Sequence, residues 1–137
     1  MEVILCDCPK ILIVDDNAFN LYSLGLLLES LGHKSVQAIN GKFALEEISR
    51  NEESKECSCR YSLIIMDCMM PMMDGYEACI LQRKREQESG MKPYPIYALS
   101  ADTTESNVSK CLKVGFTEFL EKPVQQVDLK RALAKHL

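Results

Sequence analysis

The stretch Ser62-Leu63-Ile64-Ile65-Met66-Asp67 is apolar from Leu63 to Met66 without alternation, and it closes on a carboxylate. A strand with one wet face alternates polar and apolar side chains, whereas a central parallel strand covered on both faces does not. Ser62 to Met66 therefore reads as the central strand of an α/β sheet. The same pattern repeats outward in both directions. Lys10 to Val14 is a first strand ending in Asp15-Asp16-Asn17, followed by a helix that runs to about Leu31 and stops at Gly32. A second strand covers about Lys34 to Ile39, with a helix from Gly41 to Ser49. A third helix spans Gly75 to about Glu88, and Pro95 to Leu99 is a fourth strand ending on Ser100. Asp102 with Glu105 predicts a capping box for the fourth helix, whose inward stripe is Val108, Cys111 and Leu112. Thr117 to Leu120 is the fifth strand, ended by Glu121-Lys122-Pro123, and Val127 to Leu137 is the last helix. Five βα units around a parallel sheet give an α/β fold.

Length and composition agree with this reading. The chain has 137 residues, 47% of them hydrophobic and 26% charged, which suits one domain with its own core. Residues 1–9 are expected to be an N-terminal extension or linker, with the domain at 10–137. The net charge of −4 and the lack of a basic run exclude nucleic acid as a direct partner. No apolar stretch approaches the ~20 residues of a bilayer span, and the N-terminus lacks a secretory signal, so a cytoplasmic location is expected. Seven cysteines are an odd count that fits reduced thiols. Cys6 with Cys8 and Cys57 with Cys59 form two Cys-x-Cys pairs, but without the Cys-x2-Cys spacing usual for zinc. Cys68, Cys79 and Cys111 read as small buried hydrophobes. The segment from Arg50 to Arg60 reads as a solvated loop. His33, after the helix-ending Gly32, and His136, in the last turn where an imidazolium favours the helix dipole, read as structural or solvated.

In open α/β sheets ligands bind outside the carboxyl ends of the strands, where the strand order reverses. Asp15, Asp16, Asp67, Ser100 and Lys122 stand at those ends. Three carboxylates with one ammonium keep an excess of negative charge unless a cation joins them, and hard oxygen ligands favour Mg2+. Such a set suits phosphoryl transfer with a carboxylate nucleophile, and Asp67, ending the central strand, is best placed for that role.

The motifs Ile-Leu-Ile-Val-Asp-Asp-Asn at 11–17, Met-Asp-Cys-Met-Met-Pro-Met-Met-Asp-Gly at 66–75, Ala-Leu-Ser-Ala at 98–101 and Lys122-Pro123 occur in the order found in response-regulator receiver domains. From Lys10 to the C-terminus the chain resembles that family, in the style of hybrid histidine kinase receivers. The resemblance implies a flavodoxin-like three-layer sandwich with a five-stranded parallel sheet of order 2-1-3-4-5. It implies Asp67 as phosphoacceptor, Asp15, Asp16, Asp67 and the Met69 carbonyl around Mg2+, and Ser100 and Lys122 on the phosphoryl group. Ser100 and Phe119 would be the switch pair, and the bond before Pro123 would be cis. The implied function is to take a phosphoryl group from a phosphohistidine and to change the signalling surface of a phosphorelay protein. Such a domain assists its own phosphorylation and dephosphorylation without being a turnover enzyme. Met69 and Asp102, two residues beyond Asp67 and Ser100, resemble the positions that tune hydrolysis in the family. The partner would be a histidine kinase or histidine-phosphotransfer protein. The domain would be a monomer or a phosphorylation-dependent dimer, either free in the cytoplasm or the cytosolic part of a membrane-bound hybrid kinase.

The first predicted helix carries two apolar stripes. Leu21, Leu24, Leu28 and Leu31 cover the sheet, leaving Phe19, Tyr22 and Leu26 to dock a phosphodonor helix or to pack on the last helix. Three other classes compete. An Asp-nucleophile phosphohydrolase of the haloacid dehalogenase type would need an Asp-x-Asp motif, which Asp15-Asp16-Asn17 lacks. A flavodoxin-like electron carrier would need a Ser/Thr/Gly-rich phosphate loop after the first strand. A module that binds without phosphate has no reason to keep three acids together.

Overall fold

The computed structural model describes residues 7–53 and 59–137. Ten elements alternate strictly: β1 Ile11–Val14, α1 Ala18–Ser30, β2 Ser35–Ala38, α2 Gly41–Glu53, β3 Leu63–Asp67, α3 Gly75–Ser89, β4 Ile96–Ser100, α4 Glu105–Val114, β5 Glu118–Glu121 and α5 Gln126–His136. All strand pairs are parallel, in the order β2-β1-β3-β4-β5. The sheet is therefore the expected 2-1-3-4-5, with the order reversing between β1 and β3.

Strand parity builds the three layers. Ile11, Ile13, Leu63, Ile65, Tyr97 and Leu99 point to one face, under Leu21, Leu24 and Leu28 of α1 and Leu129 and Leu133 of α5. Leu12, Val14, Ile64, Met66, Ile96 and Ala98 point to the other, under Ala44 and Ile48 of α2, Ala78 and Cys79 of α3 and Cys111 of α4. Every residue of β1, β3 and β4 is buried, which is why these strands show no polar alternation. Each such Leu or Ile contributes about 1.5–3 kcal/mol by leaving water. Cys68, Cys79 and Cys111 are fully buried, as small hydrophobes should be.

Several expectations need correction. β3, β4 and β5 each extend one residue further, taking in Asp67, Ser100 and Glu121, because the parallel ladder continues through them. α2 continues to Glu53, so Arg50 to Glu53 belong to a helix and not to the loop. The extra turn is held by the Glu47–Arg50 ion pair at 2.6 Å and by Glu52, which pairs with Arg85 of α3 and accepts from the Tyr94 hydroxyl. The cap of α4 is Thr104, whose hydroxyl accepts from the Asn107 N–H at 3.3 Å, and not an Asp102–Glu105 box. Asp102 instead accepts from the backbone and side chain of Thr104. Leu112 is exposed, since the inward line of α4 is Asn107 and Cys111, one turn apart. Of the two readings of His136, structural or solvated, the structure bears out the first: its ring lies edge-on to Tyr97 at 5.3 Å, with Nε2 2.8 Å from the Tyr97 hydroxyl. Burial, followed by repulsion from Lys135, lowers its pKa. Cys6 and Cys57, half of each Cys-x-Cys pair, lie outside the described residues, as does most of the proposed N-terminal extension.

Candidate functional site

The carboxyl ends of β1, β3, β4 and β5 meet in one cleft. The β3 end is joined to β4 by the Cys68 N–H donating to the Leu99 carbonyl at 3.1 Å, and β5 to β4 by the Lys122 N–H donating to the Ser100 carbonyl at 2.9 Å. Carboxylate oxygens of Asp15, Asp16 and Asp67 lie within 4.8 Å of one another. Asp15 and Asp67 are buried and Asp16 is exposed, so the cluster has two walls and an open side.

Each buried acid is oriented separately. Asp15 Oδ1 accepts from the Asn17 N–H at 2.9 Å, while Oδ2 accepts from Asn20 Nδ2 at 3.3 Å and from Lys122 Nζ at 3.0 Å. Asp67 Oδ1 accepts from the Met69 N–H at 3.1 Å. Its Oδ2 is ion-paired with the same Lys122 Nζ, also at 3.0 Å. Burial pushes the Asp67 carboxyl up, against the opposing pull of Lys122 and the Met69 N–H. Burial alone would lower Lys122, but Asp67 and Asp15 outweigh it and hold the ammonium above its usual range. Three carboxylates around one ammonium leave negative charge in a partly desolvated cleft, a donor set of hard oxygens that fits a small divalent cation.

Ser100 closes the β4 side. Its Oγ accepts from the Asp102 N–H at 3.0 Å and from Asn107 Nδ2 at 3.4 Å, so in this state it faces α4. Phe119 is half-buried against the core cluster that contains Cys111. The Lys122–Pro123 peptide is cis. Phe19, Tyr22 and Leu26 are exposed on α1, which leaves them available for contact and not packed on α5.

Sequence reading missed four supporting residues. Asn20 completes the cradle of Asp15, and its spacing from the helix cap Asn17 was the available signal. Gly75 allows the loop after β3 to fold back, since a Cβ there would lie 2.3 Å from the Asp67 carbonyl oxygen. Tyr76 and Asn107 are buried partners whose polar atoms meet across α3 and α4.

A flavodoxin-like sheet with an acidic, lysine-bridged cleft at its switch point defines a class of cation-binding domain suited to phosphoryl chemistry. The response regulator receiver domain family matches residues 11–134, and the chain belongs to that family. It is thus a signalling domain of two-component phosphorelays. It is similar to hybrid signal transduction histidine kinase E of Dictyostelium discoideum, 40% identical over 124 residues, which cover 90% of this chain and 7% of that protein. Across three such kinases of this organism the chain spans only 5–7% of their length. Among solved structures it is similar to the Saccharomyces cerevisiae co-crystal of the histidine phosphotransfer protein Ypd1 with the receiver domain of its response regulator Ssk1. That match has a TM-score of 0.79 and 28% identity, covering 93% of this chain and 88% of the other. The receiver domain of sensor histidine kinase PA1611 from Pseudomonas aeruginosa, with a magnesium ion coordinated in its active-site cleft, matches with a TM-score of 0.73 and 30% identity. The match covers 94% of this chain and 98% of the other. Among the described residues no helix is long and apolar enough to cross a membrane.

Proposed function

We propose that Asp67 is the phosphoacceptor of this receiver and takes a phosphoryl group from a phosphohistidine on a histidine kinase or histidine-phosphotransfer protein. The observation that carries this reading is the shared contact of Lys122 with Asp15 and Asp67 inside a three-carboxylate cluster. Asp15, Asp16, Asp67 and the Met69 carbonyl are the residues that would hold Mg2+. When bound, that ion neutralises charge on the transferring group and on the acids around it.

The protein's own part is positioning. Asp67 Oδ1 is fixed by the Met69 N–H, which aims the carboxylate out of the end of β3. An Asp67 oxygen attacks phosphorus, the P–N bond to the donor imidazole breaks, and the nitrogen keeps the electron pair. Lys122 then pairs with a phosphoryl oxygen from where it now holds the carboxylate, and Ser100 donates its hydroxyl hydrogen to another. The turn of Ser100 and an inward move of Phe119 alter the α4–β5–α5 surface, which is the signalling output. Phe19, Tyr22 and Leu26 form the docking surface for the donor. In support, Phe19 also borders a groove of about 470 Å³ that Leu24, Leu27, Leu99 and Val124 line and that reaches Asp15 and Lys122. The domain spans residues 10–137, with 1–9 as an extension, and works in the cytoplasm, free or as part of a hybrid kinase.

The test is intact-mass spectrometry after incubation with phosphoramidate, with and without Mg2+, on the wild-type chain and Asp67→Asn. A single phosphoryl adduct that requires both Mg2+ and Asp67 is the expected result. Its absence, with Mg2+ binding demonstrated separately, overturns the reading.

A further inference from the structure

Asn107 is a buried polar residue on the inward line of α4, and its carboxamide is engaged at both ends. Nδ2 lies 2.8 Å from the Asp102 carbonyl oxygen, which only accepts, so this end of the amide must be the nitrogen. Oδ1 therefore faces α3, where it accepts from the Tyr76 hydroxyl. The second Nδ2 hydrogen is directed at Ser100 Oγ across a long 3.4 Å. Tyr76 is itself immobilised, with Lys110 Nζ 3.9 Å above its ring centroid and Phe116 edge-on at 6.4 Å. The capping of α4 does not explain this arrangement, because Thr104 supplies the cap and uses only the backbone N–H of Asn107.

We infer that Asn107 is a positioning residue for the Ser100 hydroxyl: its carboxamide, oriented by Tyr76, holds Ser100 toward α4 and has to release it before that hydroxyl turns to a phosphoryl group on Asp67. The inference rests on the phosphoacceptor reading above. A serine oxygen has two acceptor sites, and here one faces the segment between β4 and α4, through the Asp102 N–H, and the other faces α4 itself, through Asn107. Rotation of Ser100 toward Asp67 gives up these contacts, and the long bond to Asn107 is the weaker of the two. Once released, the Nδ2 hydrogen loses its partner inside a buried site, which favours a rearrangement of the α4 N-terminus. The resting contact thus opposes phosphorylation, and its loss links the phosphoryl site to α4.

The experiment is an NMR titration of the full chain with beryllium trifluoride and Mg2+, the fluoride complex standing in for a phosphoryl group. Four proteins are compared: wild type, N107A, S100A and the double variant. N107A should bind about threefold more tightly than wild type, the size of one long neutral hydrogen bond. In the S100A background the same substitution should change nothing, an outcome that a purely structural role for Asn107 does not produce. Unchanged or weaker binding by N107A, or an equal gain without Ser100, overturns the inference. Failure of the wild type to bind the mimic in the presence of Mg2+ overturns the phosphoacceptor reading and the inference with it. Should N107A not fold, Y76F removes only the hydroxyl that orients the carboxamide. It should tighten binding in the same Ser100-dependent way, and no change in Y76F also overturns the inference.

Discussion

The Lys122 ammonium lies 3.0 Å from the Asp67 carboxylate and the same distance from that of Asp15, so one cation serves two buried acids. Its removal leaves the acids without their shared counter-charge, and a buried unpaired charge is costly. Lys122→Met is therefore expected to lower the melting temperature in Mg2+-free buffer, and added Mg2+ should restore most of the loss. Mg2+ itself should bind more tightly, because a competing cation has gone. The phosphoryl adduct from phosphoramidate should form about a hundredfold more slowly, the usual loss on removing one preorganised donor at a developing charge. Weaker Mg2+ binding in the variant would count against the arrangement.

Met69 is 68% exposed and stands two residues beyond Asp67, so with Asp67 as the proposed phosphoacceptor its apolar side chain is expected to slow the attack of water on the acyl phosphate. Met69→Asn should shorten the lifetime of the phosphoryl adduct severalfold, as followed by the decay of the phosphorylated mass after removal of the donor. An unchanged lifetime would remove Met69 from the control of hydrolysis.

Phe19 is 74% exposed beside the cleft, with Tyr22 and Leu26 on the same side of α1. Phe19→Glu should slow phosphotransfer from a histidine-phosphotransfer protein by about tenfold, as expected for loss of an aromatic anchor at an interface. Phosphorylation by phosphoramidate should be unaffected. A rate with the protein donor equal to that of wild type would refute docking through this stripe.

The fold was legible because β1 and β3 are short apolar runs that each stop on an acid, and a run buried on both faces has little other reading. The acidic site was legible for a related reason: strand ends converge by topology, so their identities can be read without knowing distances. The errors concentrate where tertiary partners decide. The last turn of α2 looked like a polar loop, since the sequence does not show that Glu52 meets Arg85 and Tyr94 from other elements. Asn107 gave no signal in the sequence, because a polar side chain is buried only when distant partners satisfy it, here Tyr76 and Ser100. Leu112 misled in the opposite sense, as an apolar residue left in water at 53% exposure.

Gly75 makes a steric prediction. A Cβ at this position would lie 2.3 Å from the Asp67 carbonyl oxygen and 3.0 Å from Cys68 Cα, both backbone atoms that cannot swing aside. Gly75→Ala should destabilise the domain by about 3 kcal/mol in urea unfolding, at the upper end of the cost of overpacking. Any folded fraction should also be phosphorylated more slowly, because the clash is relieved by moving the end of β3 that carries Asp67. A midpoint unchanged from wild type would mean that the loop yields elsewhere.

His136 gives a pH dependence with a definite sign. Burial, and after it the Lys135 ammonium, lowers its pKa from 6.5, so the folded chain holds this proton less readily than the unfolded chain. Between the folded value and 6.5 the unfolded state binds more protons, and stability rises with pH through that window. Acidification from neutrality should therefore destabilise the domain as the medium passes below 6.5. Glu118 acts in a separate, lower window, since the Tyr97 hydroxyl and Lys135 hold its carboxyl below its ordinary value of 4.5. Its contribution is lost only as the pH falls below that value. His136→Phe keeps a ring edge-on to Tyr97 but has no proton to gain, so its unfolding free energy should be flatter than wild type between about pH 7 and pH 5. Equal slopes for the two proteins in that range, measured by urea titration at each pH, would show that another group carries the dependence.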